Sequence, residues 1–260
     1  ADVAASTTAP ASAPAATLPA SAAVAAIYKQ FTLAPMWFRG NAATPAATQF
    51  ITILRRAPIE GITFGAQAAL QVEDAMRRAA SGNPAEIAAA EQILSAAWVS
   101  YVQALRRPTA GMYYAASTLA PQGTRPDQIL LLAAASSTSL EAHLNSVSNV
   151  NHIYAQLRDA AWQQAQATGN LTPDPRLLIN LDRARTFPAT GRFVIVDSAA
   201  QRLTMFENGR PVDSMKIIVG MPKWATPMIA SYIHYITMNP YWDAPDNLVV
   251  EAIAPNALRQ

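Results

Sequence analysis

The sequence predicts an α+β protein in which an all-helical N-terminal domain is followed by antiparallel strands. Two observations support this prediction. Between residues 27 and 185, apolar residues recur at helical spacing, and alanine, the strongest helix former, is abundant. From Arg192 onward, short β-branched and aromatic runs alternate with turn residues. We therefore expect a tether at 1–24, a helical domain at 25–188 and a β-rich region at 189–260.

The first 24 residues are almost entirely Ala, Pro, Ser and Thr. Such a stretch buries too little side-chain surface to offset the entropy that is lost on ordering, so we expect a disordered tether. Pro10, Pro14 and Pro19 argue against a helix in this stretch. We expect this tether to lie downstream of a signal sequence or a membrane anchor, as in an exported protein whose signal peptide has been removed.

The helical domain contains one helix whose start is well marked and several others that the spacing of apolar residues predicts. Asn83 is a good N-cap, Pro84 suits the first helical position, and an apolar stripe follows that only Glu91 interrupts. We expect helices at 45–57, 84–105, 125–135, 139–147, 151–168 and 177–185. His143 and His152 fall on two of these helices, where we expect them to be structural or exposed.

Four strands are predicted after the helices, at 193–196, 203–206, 212–219 and 229–238. The Asn208-Gly209 dipeptide favours a two-residue hairpin between the second and third strands. Asn239-Pro240 would end the fourth strand, which contains His234. We expect Thr226 to fix a turn that begins at Gly220.

Composition excludes several classes of function. The net charge is only +2, from 19 basic and 17 acidic residues that are scattered along the chain, so we expect no nucleic-acid partner. No apolar run approaches the roughly 18 residues that span a bilayer. The sequence has no Cys, which excludes a disulfide framework, a zinc–thiolate site and thiol catalysis by these residues. No motif for zinc or serine hydrolysis occurs, and we expect no metal and no cofactor.

Several of these segments carry a family resemblance. The runs Arg-Phe-Val-Ile-Val-Asp from Arg192, Met-Lys-Ile-Ile-Val-Gly from Met215 and Met-Asn-Pro-Tyr-Trp-Asp from Met238 resemble the opening half of the L,D-transpeptidase (YkuD-type) catalytic domain. The run Asn-Leu-Asp-Arg-Ala-Arg at 180–185, with Pro188 after it, is similar to the Asn-Leu-Glu-Arg-x-Arg … Pro element of the large periplasmic members from Gram-negative bacteria. It differs by Asp182 in place of Glu.

The resemblance implies a helical scaffold domain and a β-rich catalytic domain that forms 3-3 cross-links between peptidoglycan stem peptides in the periplasm. The family's catalytic His and Cys come later, in a His-Gly … Ser-x-Gly-Cys segment. We therefore expect both beyond Gln260, in a C-terminal part that completes the domain begun at 189–260, and we expect this chain alone to be inactive. A non-catalytic scaffold or peptidoglycan-binding protein is the alternative.

The resemblance also implies where the donor peptide binds. In the family, the Asn-Pro-x-Trp element borders the donor-peptide groove, which makes Asn239, Tyr241 and Trp242 the candidate substrate-binding residues. An aromatic ring beside an extended peptide provides a large contact area at little entropy cost. The alternative is that Trp242 packs beneath the sheet.

Overall fold

A computed structural model describes residues 17–241 and 243–259. Its helices are α1 (Ser21–Gln30), α2 (Pro45–Arg56), α3 (Gly65–Ala79), α4 (Pro84–Leu105), α5 (Pro126–Ala135), α6 (Leu140–Asn149), α7 (His152–Thr168), α8 (Pro175–Ala184), and the short α9 (Asp246–Leu248) and α10 (Ala254–Ala257). Its strands are β1 (Phe38–Arg39), β2 (Ala42–Ala43), β3 (Tyr113–Tyr114), β4 (Arg192–Asp197), β5 (Arg202–Glu207), β6 (Arg210–Lys216) and β7 (Ile229–Ala230). The predicted α+β class, with helices first and antiparallel strands second, is confirmed.

Helix α4 is the centre of the helical domain and matches the predicted helix at 84–105. The Asn83 side chain accepts a hydrogen bond from the Ala85 N–H at 2.9 Å, as an N-cap does. Trp98 and Tyr101 are fully buried on α4, and their rings lie 5.8 Å apart. The long apolar stripe of α4 therefore forms the core against which the other helices pack.

The ordered chain starts earlier than the expected boundary at residue 25. Helix α1 begins at Ser21, and Leu18, Ala20 and Val24 are buried. The Ala20 N–H donates to Ser100 Oγ on α4 at 3.0 Å. This Ala-rich segment orders because its small side chains pack closely against α4, which the composition of the segment alone does not reveal. Residues 1–16 of the expected tether lie outside the described residues.

Strands β4, β5 and β6 form an antiparallel sheet in chain order. Asn208 and Gly209 both have positive φ, 51° and 76°, as a two-residue hairpin between β5 and β6 requires. The rings of Phe193 and Phe206 stack across the β4–β5 pair, with centroids 5.0 Å apart. The predicted hairpin is thus confirmed.

The predicted fourth strand at 229–238 is wrong in extent and in partner. Only Ile229–Ala230 pairs, and it pairs in parallel with β3 of the helical domain instead of with the β4–β6 sheet. The segment from 231 to 237 has no strand neighbour within the described part of the chain, so its alternating pattern does not produce a strand. His234 is accordingly exposed and outside any strand.

Burial differs sharply between the two parts of the chain. Every buried hydrophobic side chain in the described structure lies between Leu18 and Ala184. In the sheet, Val196, Leu203 and Met215 stand directly opposite one another on one face, and Val196 and Met215 are half-exposed. Among the described residues, the hydrophobic core therefore lies in the helical domain, and no described element covers the apolar face of the sheet that carries Val196 and Met215. No helix among the described residues is long and apolar enough to cross a membrane.

Candidate functional site

Asn239 and Tyr241 lie in one exposed turn that follows the segment from 231 to 238. Asn239 has φ of +48°, a left-handed conformation that Asn tolerates better than most residues, and Tyr241 is fully exposed. Neither side chain forms a hydrogen bond with another described residue. Trp242, the third predicted site residue, lies outside the described residues. The structure thus presents two of the three candidates to solvent without bringing them to another functional group.

The segment that leads to this turn is attached to the helical domain by strand pairing. The Tyr113 N–H donates to the Met228 carbonyl at 2.9 Å, and the Ala115 N–H donates to the Ala230 carbonyl at 2.9 Å. The hydroxyls of Thr118 and Tyr232 are hydrogen-bonded at 3.1 Å. We call this contact, between residues 113–118 and 228–232, the junction ribbon. It fixes the start of the candidate site segment to the helical domain, and sequence reasoning missed it.

A second turn precedes the junction ribbon. The Gly220 N–H donates to Thr226 Oγ1 at 2.8 Å, which makes Thr226 the residue that closes the turn, in agreement with the sequence prediction. A Cβ atom at Gly220 would lie 2.0 Å from the Trp224 carbonyl oxygen, so only glycine fits there. Lys223, within this turn, forms an ion pair with Glu251 and lies 4.7 Å from the Trp224 ring centroid. The turn is therefore held by its own contacts and its polar groups are engaged.

The Asn-Leu-Asp-Arg-Ala-Arg element acts as a joint between helices. Asp182 forms ion pairs with Arg185 and with Arg107, the latter at 3.3 Å. Arg185 Nη1 donates to the carbonyls of Ala104 and Leu105 at 3.2 and 3.1 Å, where α4 ends and its carbonyls lack helical partners. Burial, and to a smaller extent the nearby positive charge of Arg107, together lower the pKa of Arg185 to about 10. This element locks α8 onto the end of α4, immediately before the sheet begins.

Two carboxylates, Glu60 and Glu91, are buried in the helical domain. Glu60 accepts hydrogen bonds from the hydroxyls of Tyr101 and Tyr154, at 3.2 and 2.7 Å, and burial raises its pKa. Glu91 accepts from the backbone N–H groups of Met36 and Trp37, and burial raises its pKa to about 6. Because donors occupy both carboxylates inside the core, they hold helices and loops together and meet no substrate.

The three histidines do not form a catalytic pair. His143 is half-buried beside Trp98, with ring centroids 5.9 Å apart, and burial together with Arg106 lowers its pKa. His152 is exposed at the first position of α7, where the Gly209 turn approaches it. His234 is exposed and contacts the Tyr232 ring. Within residues 17–241 and 243–259, no three His, Cys, Asp or Glu side chains are grouped as a metal site would require.

Comparisons with known proteins match both parts of the chain. Residues 22–160 match the family model for a scaffold domain, and residues 191–259 match the model for an L,D-transpeptidase catalytic domain. A protein of Haemophilus influenzae that is provisionally named as an L,D-transpeptidase is 23% identical over 159 residues, which cover 61% of this chain and 32% of the relative. The chain thus spans about a third of the length of the curated relative it matches. No solved structure matches the chain.

Proposed function

The chain belongs to the L,D-transpeptidases that carry a scaffold domain, and from this premise we propose that it is part of an enzyme that forms 3-3 cross-links between peptidoglycan stem peptides. The match of residues 191–259 to the catalytic domain carries the proposal. In the proposed reaction, a cysteine thiolate attacks the amide after meso-diaminopimelate of a donor stem and D-Ala leaves as the amine. The resulting thioester is then attacked by the side-chain amine of an acceptor stem, which releases the thiol.

This reaction requires a thiol that these 260 residues do not contain. We propose that the Cys and its His lie beyond Gln260, in a segment that folds onto the β4–β6 sheet. The half-exposed Val196 and Met215 support this proposal, because an apolar sheet face left in water is costly and prone to aggregation. In this proposal, the C-terminal part of the same catalytic domain covers that face.

The donor stem would bind along the turn of Asn239, Tyr241 and Trp242. Full exposure of Tyr241 supports this role, because a ring that packs against nothing within the described part of the chain is free to contact a peptide. The junction ribbon would hold this segment at a set position relative to the scaffold domain. The periplasm, where peptidoglycan lies, is the proposed location.

The test compares this chain with a version extended through the coding sequence that follows Gln260. Purified tetrapeptide stems are incubated with each protein, and mass spectrometry measures D-Ala release and 3-3 dimers. We expect products only from the extended protein, and none when its Ser-x-Gly-Cys cysteine is replaced by Ser. A gene with no such segment, or an extended, folded protein that makes no product, would overturn the proposal.

A second candidate is a non-catalytic scaffold that binds peptidoglycan. The confinement of the buried core to residues between Leu18 and Ala184 favours it, because the helical domain does not depend on the sheet for its core. Pelleting of the chain with insoluble peptidoglycan, in the absence of any product formation by the extended protein, would support this candidate over the enzyme.

A further inference from the structure

An open cleft of about 610 Å³ lies where the helical domain meets the linker to the sheet. Its walls come from the end of α4, the loop at 119–123, the second half of α6 and the residues after α8. The polar residues that line it are Arg106, Arg107, Gln122, Ser146, Arg185 and Thr186. We call it the arginine cleft. Its volume falls in the range of about 300–1,000 Å³ that is typical of small-ligand pockets.

Positive charge exceeds negative charge in the arginine cleft. Three guanidinium groups line it, and their one carboxylate partner in the described structure is Asp182, which pairs with both Arg107 and Arg185. Arg106 has no ion-pair partner among the described residues and donates through Nη1 to the Gly123 carbonyl at 2.9 Å. No described residue forms a hydrogen bond with the remaining side-chain N–H groups of Arg106 and Arg107.

Burial makes the excess positive charge of the arginine cleft unfavourable in free energy. It lowers the pKa of Arg106 and of Arg185, and Arg107 repels the charge on Arg185. A partly buried cation without a counter-charge loses hydration and gains little in return. An anion that enters the cleft would replace the lost hydration with charge-assisted hydrogen bonds. Guanidinium groups form such bonds with carboxylates in a bidentate geometry.

A small, mostly apolar cavity lies beside the cleft, and no acidic residue lines it. Trp98, Arg106 and His143 line it, and Arg106 also lines the cleft. Trp98 Nε1 is buried and donates to no other described residue. The cavity measures about 10 Å³, close to the space that one water molecule needs. The apolar side chains of Val102, Ile129, Leu132 and Val147 complete the lining of this cavity, and Arg106 is the residue that it shares with the cleft, together with Val147.

We propose that the arginine cleft binds a carboxylate-bearing peptide. If the proposed function holds, this carboxylate-bearing peptide is a peptidoglycan stem, whose D-Glu and meso-diaminopimelate residues carry free carboxylates. Only the identification of the peptide rests on the proposed function; the binding of an anion by the cleft does not. The cleft lies next to Thr186 and Ala189, which lead directly into β4. A bound stem would therefore attach a peptidoglycan strand at the junction of the two domains, apart from the turn of Asn239 and Tyr241.

The first experiment measures binding to the 260-residue chain by calorimetry. The probes are the tripeptide L-Ala-γ-D-Glu-meso-diaminopimelate, the same tripeptide with amidated carboxylates, and sodium acetate. We expect the tripeptide to bind, the amidated form to bind at least about tenfold more weakly, and added salt to weaken tripeptide binding. Equal binding of both tripeptides would overturn the proposal, and acetate binding as tight as that of the tripeptide would overturn its assignment to a peptide.

Matched variants locate the site. Arg107→Gln should weaken tripeptide binding about tenfold, as loss of a charge-assisted hydrogen bond does. Arg183→Gln is the control, because Arg183 is exposed on the same joint element and forms no ion pair with a described residue. Equal loss in both variants, or unchanged binding in Arg107→Gln, would refute the site.

A further variant, which leaves the core and the ion pairs of Asp182 intact, tests whether weaker binding results only from loss of folding. Ser146→Asp places a negative charge at an exposed position on the cleft wall. It should abolish tripeptide binding while the melting temperature stays within a few degrees of the parent. Unchanged binding in this variant would contradict the proposal. Because no step requires catalysis, these results are independent of whether the extended protein forms cross-links.

Discussion

The pH dependence of stability should contain a contribution from Glu91 that one substitution removes. The pKa of Glu91 rises from 4.5 to about 6 in the folded protein, chiefly because the carboxylate is buried and only in part offset by backbone hydrogen bonds from Met36 and Trp37. One pKa unit corresponds to about 1.4 kcal/mol. Ionisation of Glu91 therefore costs about 2 kcal/mol more in the folded than in the unfolded chain.

Whether stability rises or falls with pH depends on which state, folded or unfolded, binds more protons. Between pH 4.5 and 6 the folded protein holds a proton on Glu91 that the unfolded chain has released, so stability falls as pH rises. The stabilising contribution is complete below pH 4.5 and is lost as pH passes about 6. In Glu91→Gln, whose amide does not titrate, this part of the pH dependence should disappear.

Urea unfolding followed by tryptophan fluorescence measures this effect. The free energy of unfolding of the parent minus that of Glu91→Gln should decrease by about 1.6 kcal/mol between pH 4.5 and pH 7, because half of the unfolded Glu91 is already ionised at pH 4.5. A difference for Glu91→Gln that does not change with pH would refute the assignment of Glu91 as a buried, titrating carboxylate.

Four further outcomes are expected. The 260-residue chain should neither release D-Ala nor gain the mass of a carbapenem, which acylates the family's Cys; turnover or a mass adduct would contradict its lack of a thiol. In light scattering it should associate through the uncovered sheet instead of remaining a stable 27.8 kDa particle. Gly220→Ala should destabilise the 220–226 turn, because the alanine Cβ would clash with the Trp224 carbonyl oxygen. Limited proteolysis should then cleave this turn faster than in the parent, and cleavage at the parent rate would contradict the prediction. In the complete enzyme, Trp242→Ala should reduce turnover more than stability; a loss of about 3–5 kcal/mol with activity per folded molecule unchanged would place Trp242 in the core.

Local signals in the sequence predicted those elements whose causes are local. Helix α4 has its cap, its first-turn proline and its apolar stripe within one continuous segment, and the hairpin at Asn208-Gly209 depends on two adjacent residues. Helix α3 (Gly65–Ala79) is absent from the helices that the sequence predicts, and it starts at a glycine. A Cβ at Gly65 would lie 2.6 Å from both Ala57 Cβ and the Leu54 carbonyl oxygen. Glycine is needed there for close tertiary packing, which no local pattern reveals.

Local sequence patterns also failed to indicate the candidate sites. Asn239 and Tyr241 came from a family resemblance, and nothing in their spacing alone indicates a groove. The arginine cleft brings Arg106 and Arg107 close to Arg185, almost eighty positions away, so no window of sequence could contain it. The pairing of β3 with β7 likewise joins segments more than a hundred residues apart. Such contacts depend on the packed helices and cannot be inferred from periodicity.

The two domains are attached at sites that differ in chemistry. At the joint, ion pairs of Asp182 hold α8 to the end of α4, and the linker to β4 follows directly. At the junction ribbon, backbone hydrogen bonds hold residues 228–230, and these bonds do not depend on the identity of the side chains. Together these contacts fix both the entry to the sheet and the segment that leads to Asn239. The ribbon starts about ten residues before that turn. If the proposed function holds, the scaffold domain would therefore position the base of the donor groove, and the proposed C-terminal part of the catalytic domain would complete its rim.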